Sequence, residues 1–302
     1  MRVRSTLVFA AALAAVITPS LVCAGAWIPA PGEYYSEFQG ARLSADTYHD
    51  STGARQPFTL GGYLERRSLA SYNELGWKKK MSVILAAPAI SSTRRLGYDR
   101  STESQTQTGL GDLIFGLRYA LKNAERALSI EVDWQTPLGY EHVKRGDYLP
   151  KLGSSGEDYG SPQLGVGTQN LDGLLWSGMT LPKFNAFFQA AGGYRYRFEE
   201  PEDQFLGLAD AGIWVGPALM LAGHYVGTFP ATSASGFDRQ STHIVGPELR
   251  YRVDERLDVF AGSRHTMWGR NVVHVDQYYI GMAFKQTRLN RLQGFLGGTR
   301  KP

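Results

Sequence analysis

Twelve stretches of about ten residues, in which apolar and polar side chains alternate one for one, constrain this chain more than any other feature. A repeat of two is the repeat of a β-strand, whose successive side chains point to opposite faces. The stretches lie near 32–44, 58–76, 81–94, 109–119, 127–136, 168–180, 185–198, 206–216, 219–229, 241–252, 257–268 and 273–284. In the clearest, Leu128, Ile130, Val132 and Trp134 share one face, while Ser129, Glu131, Asp133 and Gln135 share the other. Between 185 and 198, Phe188, Tyr194, Tyr196 and Phe198 oppose Gln189, Arg195 and Arg197. Near the end, Tyr278, Ile280, Met282 and Phe284 oppose Gln277 and Tyr279.

The polar faces carry several charges each, which a soluble sandwich would have to bury in its core. A membrane barrel resolves the conflict by turning the apolar face to lipid and the charged face to its interior. Breaks between the stretches alternate in length. Long ones fall at 45–57, 95–108, 137–167 and 230–240; short ones fall at Trp77-Lys78-Lys79-Lys80, 181–184, Gly216-Pro217-Ala218 and 253–256. Long loops at one rim and short turns at the other are the pattern of an outer-membrane barrel, and an even strand number puts both termini at the short-turn, periplasmic rim. Rings near strand ends (Trp77, Tyr119, Trp134, Trp176, Trp214, Trp268, Tyr278) suit the interfacial girdles of such a barrel. The expected fold is therefore all-β, a transmembrane antiparallel barrel of about 12 strands.

A helical membrane protein is excluded: mean hydropathy is −0.26, and no run of 18 apolar residues follows residue 26. The chain has 35 glycines and 12% aromatic residues, a pairing that fits β-structure better than disorder. Residues 1–24 combine Arg2 and Arg4, an apolar run from Leu7 to Ile17 and a small-residue end at Cys23-Ala24, the form of a secretory signal peptide. Export would remove Cys23, the one cysteine. The barrel is then expected over 25–284, followed by a basic periplasmic tail over 285–302 that contains no acid. A formal charge of +4, shared between 32 basic and 28 acidic groups, gives no case for nucleic-acid binding. The expected partners are outer-membrane lipid and lipopolysaccharide, a small-molecule solute and the barrel-assembly machinery. A final strand closing on Phe284 is similar to the C-terminal assembly signal of outer-membrane proteins, although that signal normally ends the chain.

The segment Thr108-Gly109-Leu110-Gly111-Asp112-Leu113-Ile114-Phe115-Gly116-Leu117-Arg118-Tyr119 resembles the strand motif of outer-membrane transporters associated with the MetA pathway of phenol degradation. The strand 82–88 before it and Gly192-Gly193-Tyr194-Arg195-Tyr196-Arg197 after it are similar to neighbouring hairpins of that family. The resemblance implies passage of small, hydrophobic or aromatic compounds across the outer membrane. Residues 25–32 resemble instead the mature start of barrels encoded with surface-polysaccharide genes. The alternative function is thus a non-enzymatic barrel of an envelope or exopolysaccharide and biofilm system.

Alternation places Arg118, Glu131, Asp133, Gln135, Arg195, Arg197, Glu248, Arg250, Asp258 and Arg264, with Arg252, in the lumen as candidate pore-lining residues. A charge on the lipid face would cost about 2–4 kcal/mol at the midplane. Two readings stay open: a charged constriction that selects solutes, or cross-strand ion pairs that fill a narrow barrel. The loop 137–167, with Tyr140, Tyr148 and Tyr159, is a candidate for folding into the mouth. No enzyme is expected. His49-Asp50-Ser51 has a His-x-Ser spacing but falls in a loop, and His265 and His274 show no evident acid partner. The six histidines lack metal-ligand spacing, and no phosphate-binding glycine loop enters a helix, so neither metal nor cofactor is expected.

Overall fold

A computed structural model describes residues 25–58, 61–95, 104–138, 140, 164–165, 167–198, 203–231 and 240–286. The strands are β1 (Tyr34–His49), β2 (Arg55–Pro57), β3 (Tyr63–Lys78), β4 (Met81–Arg95), β5 (Ser104–Leu110), β6 (Asp112–Lys122) and β7 (Arg126–Pro137), then β8 (Asn170–Leu181), β9 (Ala186–Arg197), β10 (Gln204–Val215), β11 (Leu219–Pro230), β12 (Ser241–Arg252), β13 (Leu257–Arg270) and β14 (Val272–Gln286). Each pairs antiparallel with its neighbour, and β14 pairs with β1 to close the sheet. β5 and β6 both pair with β4 and form one staff of the wall, broken at Gly111; β2 only caps the end of β1. The result is a closed barrel of twelve staves. Closure leaves no unpaired edge, which the bilayer interior would not tolerate.

The alternation becomes a wall with two media. Phe115, Leu117, Ile130, Val132, Leu175, Ile213, Leu249, Ile280 and Met282 are exposed around the outside, while Ser129, Glu131, Asp133 and Gln135 are buried within. Five of the seven rings assigned to strand ends (Trp77, Tyr119, Trp134, Trp268 and Tyr278) are exposed. Trp176 is not: it shares parity with Asn170, Asp172 and Leu174 on β8, faces inward and is fully buried. Trp214 also lies on the inner parity, at the rim, where the Arg252 guanidinium stacks on it at 4.0 Å.

Several strands outrun their apolar alternation. β1 continues to His49, yet its outward residues beyond Gly40 are Arg42, Ser44 and Asp46. On β3 the corresponding residues are Glu65 and Arg67, so the ladder rises past the lipid band into water. The last connection at the long-loop rim is a single residue, Asn271, at φ 51°, a left-handed geometry that asparagine tolerates. β14 runs to Gln286, so Lys285 is a strand residue rather than the first residue of a tail. Residues 1–24, 141–163, 199–202 and 287–302, which hold the expected signal peptide, Tyr148, Tyr159 and most of the tail, lie outside the described residues.

Candidate functional site in the lumen

The glycines of the 108–119 motif serve side-chain crowding inside the barrel. A β-carbon on Gly111 would meet Ile90, Pro88 and the Leu164 carbonyl, and one on Gly116 would collide with the Asp133 carboxylate. Pro88 cannot donate to the ladder; its carbonyl instead accepts the Gly111 N–H at 2.8 Å, where β5 gives way to β6. The next residue, Asp112, is buried and turned into the lumen, where Gln135 Nε2 donates to it at 2.7 Å. Tyr140, from the start of the long loop, donates its hydroxyl to the same carboxylate and accepts the Gly167 N–H at 3.1 Å. Leu164, from the other end of that loop, is buried over Gly109. Both described ends of the loop therefore fold into the mouth.

Below this tier the charges descend along the strands. Asn170 stands opposite both Gln135 and Arg197, and Arg197 donates to Gln204 at 2.9 Å. Arg195 grips Asp172 through two bonds, Nε to Oδ1 at 2.8 Å and Nη2 to Oδ2 at 2.6 Å. Asp133 lies between these tiers and that of Glu131, buried next to the Glu131 carboxyl. Arg118, fully buried, donates to both oxygens of Glu74 at 3.0 Å and is also paired with Glu131. Ser82 and Tyr72 complete the Glu74 shell at 2.6 and 3.0 Å.

A second network occupies the opposite wall. Gln189 donates to Asp210 at 2.8 Å, His224 bonds Asp210 at 2.7 Å, and His224 faces Glu248 at 3.5 Å. Arg250 bonds Glu248 at 3.0 Å and reaches Glu37 at 3.5 Å; its guanidinium also lies over Phe260. Arg264 stacks on Tyr279, whose hydroxyl donates to Glu248 at 3.2 Å. Asp258 is at the short-turn rim, bonded by Lys285 at 2.7 Å and approached by Arg252 at 3.7 Å.

All ten candidate residues are thus buried on the inner side of the wall, but few meet one another directly. Arg118 meets Glu131, and Glu248 meets Arg250; the other partners (Glu74, Asp112, Asp172, Glu37, Asp210, His224) were not among the candidates. Glu37, Glu74, Asp172 and Asp210 lie on the buried parity of their strands. What was missing is the cross-strand register that joins them.

The chain that precedes β1 folds into the short-turn end from within. The Ala26 N–H donates to Gln189 Oε1 at 3.2 Å, and Ala26 is packed among Ile84, Ile114, Ala127, Leu174, Trp176 and Ala191. Trp27 donates its indole N–H to the Ala124 carbonyl at 2.7 Å. Ile28 exchanges bonds with the Asn123 side chain, and Gly32 and Glu33 pair with Gly76. At the other end, one wall of the mouth is apolar: Leu43, Ala45, Leu64, Val273 and Val275 gather around Phe58.

The catalytic arrangement weighed at His49-Asp50-Ser51 does not form. His49 bonds the Gly53 carbonyl and His274, while Asp50 serves the turn by accepting from Thr52, Ala54 and Gln56. Among the described residues, no cluster of three or more His, Cys, Asp or Glu is placed to hold a metal.

No curated protein matches the sequence. The structure is similar to an outer membrane channel from Pseudomonas putida F1, with a TM-score of 0.66 and 12% identity, covering 89% of this chain and 100% of that one. It is also similar to the NanC porin, with a TM-score of 0.47 and 10% identity over 83% of this chain and 100% of the other. The CymD monoaromatic hydrocarbon channel has a TM-score of 0.44 and 10% identity over 86% and 89% of the two chains. The closed barrel and its outward apolar band make this a protein of the Gram-negative outer membrane. Residues 74–280 match the family model described as "Putative MetA-pathway of phenol degradation"; the match runs from Glu74 in β3 to Ile280 in β14, more than two-thirds of the chain, and the chain belongs to that family.

Proposed function

We propose that the barrel passes small hydrophobic or aromatic solutes across the outer membrane, through a lumen with one apolar and one polar wall. The observation that carries this reading is the division at the mouth. Leu43, Ala45, Phe58, Leu64, Val273 and Val275 line the β1, β3 and β14 side. By strand order they stand across from Asn170, Arg197 and Gln204 on β8–β10. A compact molecule with an aromatic body and a polar substituent finds partners for both parts there. The description of the family, which names phenol degradation, agrees with that class.

Of the ten lumen residues, Arg118, Glu131, Asp133, Gln135, Arg195 and Arg197, on β6, β7 and β9, act in this reading as the polar wall. Charges that are paired across strands, as Arg118 is with Glu74 and Arg195 with Asp172, offer little net attraction to an ion, so the route favours neutral solutes. Passage requires that residues 25–31 yield at the short-turn mouth, and it needs no catalytic group in the lumen. Residues 1–24 serve as the export signal, and the strand closing near Phe284 is what the assembly machinery reads. The exposed Arg42 and Arg67 above the lipid band meet lipopolysaccharide.

The test is permeability of liposomes carrying the purified barrel, over a panel of phenols, neutral aromatics, sugars and ions. Entry of aromatic solutes with small ionic conductance is expected. Exclusion of every solute in the panel would remove the transport reading.

A further inference from the structure

The outer wall holds an arrangement that passage through the lumen does not use. Ser263 and His265 are two residues apart on β13 and share its outward face. Asp276 on β14 stands directly opposite His265. Asp276 Oδ1 lies 2.7 Å from His265 Nδ1, and Ser263 Oγ lies 2.9 Å from His265 Nε2. The two imidazole nitrogens are thus divided as a nucleophilic hydrolase requires. The carboxylate holds the proton on Nδ1, and the lone pair of Nε2 faces a serine hydroxyl.

The surroundings set the substrate. Toward the short-turn end the same face continues as Val259 on β13 and as Tyr278, Ile280 and Met282 on β14, all exposed. The Tyr278 ring meets the His265 ring edge-on at 5.8 Å. In the next strand Arg42 stands opposite Tyr278, and beyond it Arg67 stands opposite Arg42; both are exposed and share Glu65. Hydrocarbon below, a hydroxyl nucleophile at the rim of the band and two guanidinium groups beside it match an amphiphile with an acyl chain, an ester and an anionic head.

We propose that Ser263, His265 and Asp276 form a hydrolytic triad on the lipid-facing wall, acting on carboxylic esters of glycerophospholipids. Ser263 Oγ attacks the ester carbonyl while its proton passes to His265 Nε2. The tetrahedral intermediate collapses by breaking the bond to the alcohol oxygen, which leaves with the proton from His265. Water then attacks the acyl-serine and gives a proton to His265; cleavage of the serine ester frees the fatty acid, and the proton returns to Ser263. The net reaction is ester plus water to acid plus alcohol.

The experiment uses the purified full-length barrel in mixed micelles of detergent and phosphatidylglycerol, with folding checked by heat-modifiable migration on gels. A fluorophosphonate probe, mapped by mass spectrometry, reports the nucleophile; release of fatty acid reports turnover. The expected result is labelling at Ser263 and fatty-acid release that falls about 100-fold or more in Ser263→Ala and His265→Asn, and less in Asp276→Asn. Solute permeability of Ser263→Ala in liposomes stays at the wild-type level, since Ser263 is outside the lumen, so the two activities are scored separately. Two results each overturn the triad: a folded wild-type barrel that neither labels at Ser263 nor releases fatty acid, or full hydrolysis by Ser263→Ala.

Discussion

Gly76 and Ala30 are in such close contact that a β-carbon on Gly76 would overlap the Ala30 carbonyl oxygen. The backbone around them is locked by two bonds, Gly32 N–H to Gly76 O at 2.8 Å and Gly76 N–H to Glu33 O at 2.9 Å. These contacts anchor the segment that enters the short-turn mouth. Because the obstructing atom is backbone, Gly76→Ala has to displace 29–31 rather than rotate a side chain. The variant is expected to raise single-channel conductance in planar bilayers, and deletion of 25–31 to raise it further. Wild-type conductance in both would show that the segment does not restrict the route.

Arg195 and Asp172 form a bidentate ion pair in the lumen, almost fully buried. Removing one partner of a buried pair leaves the other charge uncompensated, which costs about 3–5 kcal/mol. Arg195→Ala is therefore expected to lose stability of that order in urea unfolding from lipid vesicles, and Arg195→Lys less, because lysine keeps the compensating charge and forfeits only the second parallel bond. Arg195→Ala combined with Asp172→Ala should recover much of the loss. A double variant as unstable as the single would place the cost in packing.

The barrel was legible in the sequence because one physical fact, the opposition of lipid and lumen across a wall one residue thick, repeats along every strand. Where the outer medium ceases to be lipid the signal fades, and Ala45 to His49 on β1 therefore read as loop. Trp176 misled because a ring near a strand end fits either face until the parity of Asp172 and Leu174 is used. The ion pairs were half visible. Glu131 and Arg118 announce themselves on charged faces, but the choice of Glu74 as the second partner of Arg118 depends on the register of β3, β4 and β6. His265 read as lacking an acid because Asp276 is eleven positions away, yet a tight hairpin through Asn271 puts them side by side. Family membership was carried by glycines whose reason, the bulk of Asp133 and Leu164, is only visible in three dimensions.

The apolar wall at the mouth gives a prediction about selectivity. Leu64 is buried against Leu43, Phe58 and Val273. Leu64→Asn keeps the branched shape of the side chain and replaces hydrocarbon with an amide, which weakens the solvation of an aromatic body on that wall. Liposome uptake of toluene-like solutes should drop several-fold while uptake of small polar solutes is unchanged or rises. Equal loss for both classes would mean that the residue supports the mouth structurally without selecting what enters.

The turn after β1 gives the pH prediction. Asp50, at the long-loop rim, is held below the usual carboxylate range by the Thr52 hydroxyl first; desolvation opposes this, and the Thr52 and Ala54 N–H groups and Gln56 add to the lowering. A depressed carboxylate contributes stability that is present above its unfolded pKa, ~3.9, and is lost as pH falls through the lower folded value. The turn over 50–54 should therefore stay ordered throughout the neutral and mildly acidic range and loosen only under stronger acid. Amide resonances of Thr52 and Ala54, followed by NMR in micelles, are expected to titrate with a midpoint below that of free aspartate. In Asp50→Asn the same resonances should be flat across that window, because the side chain no longer ionises; a midpoint above ~3.9 in the wild type would contradict the hydrogen-bonded turn as the cause.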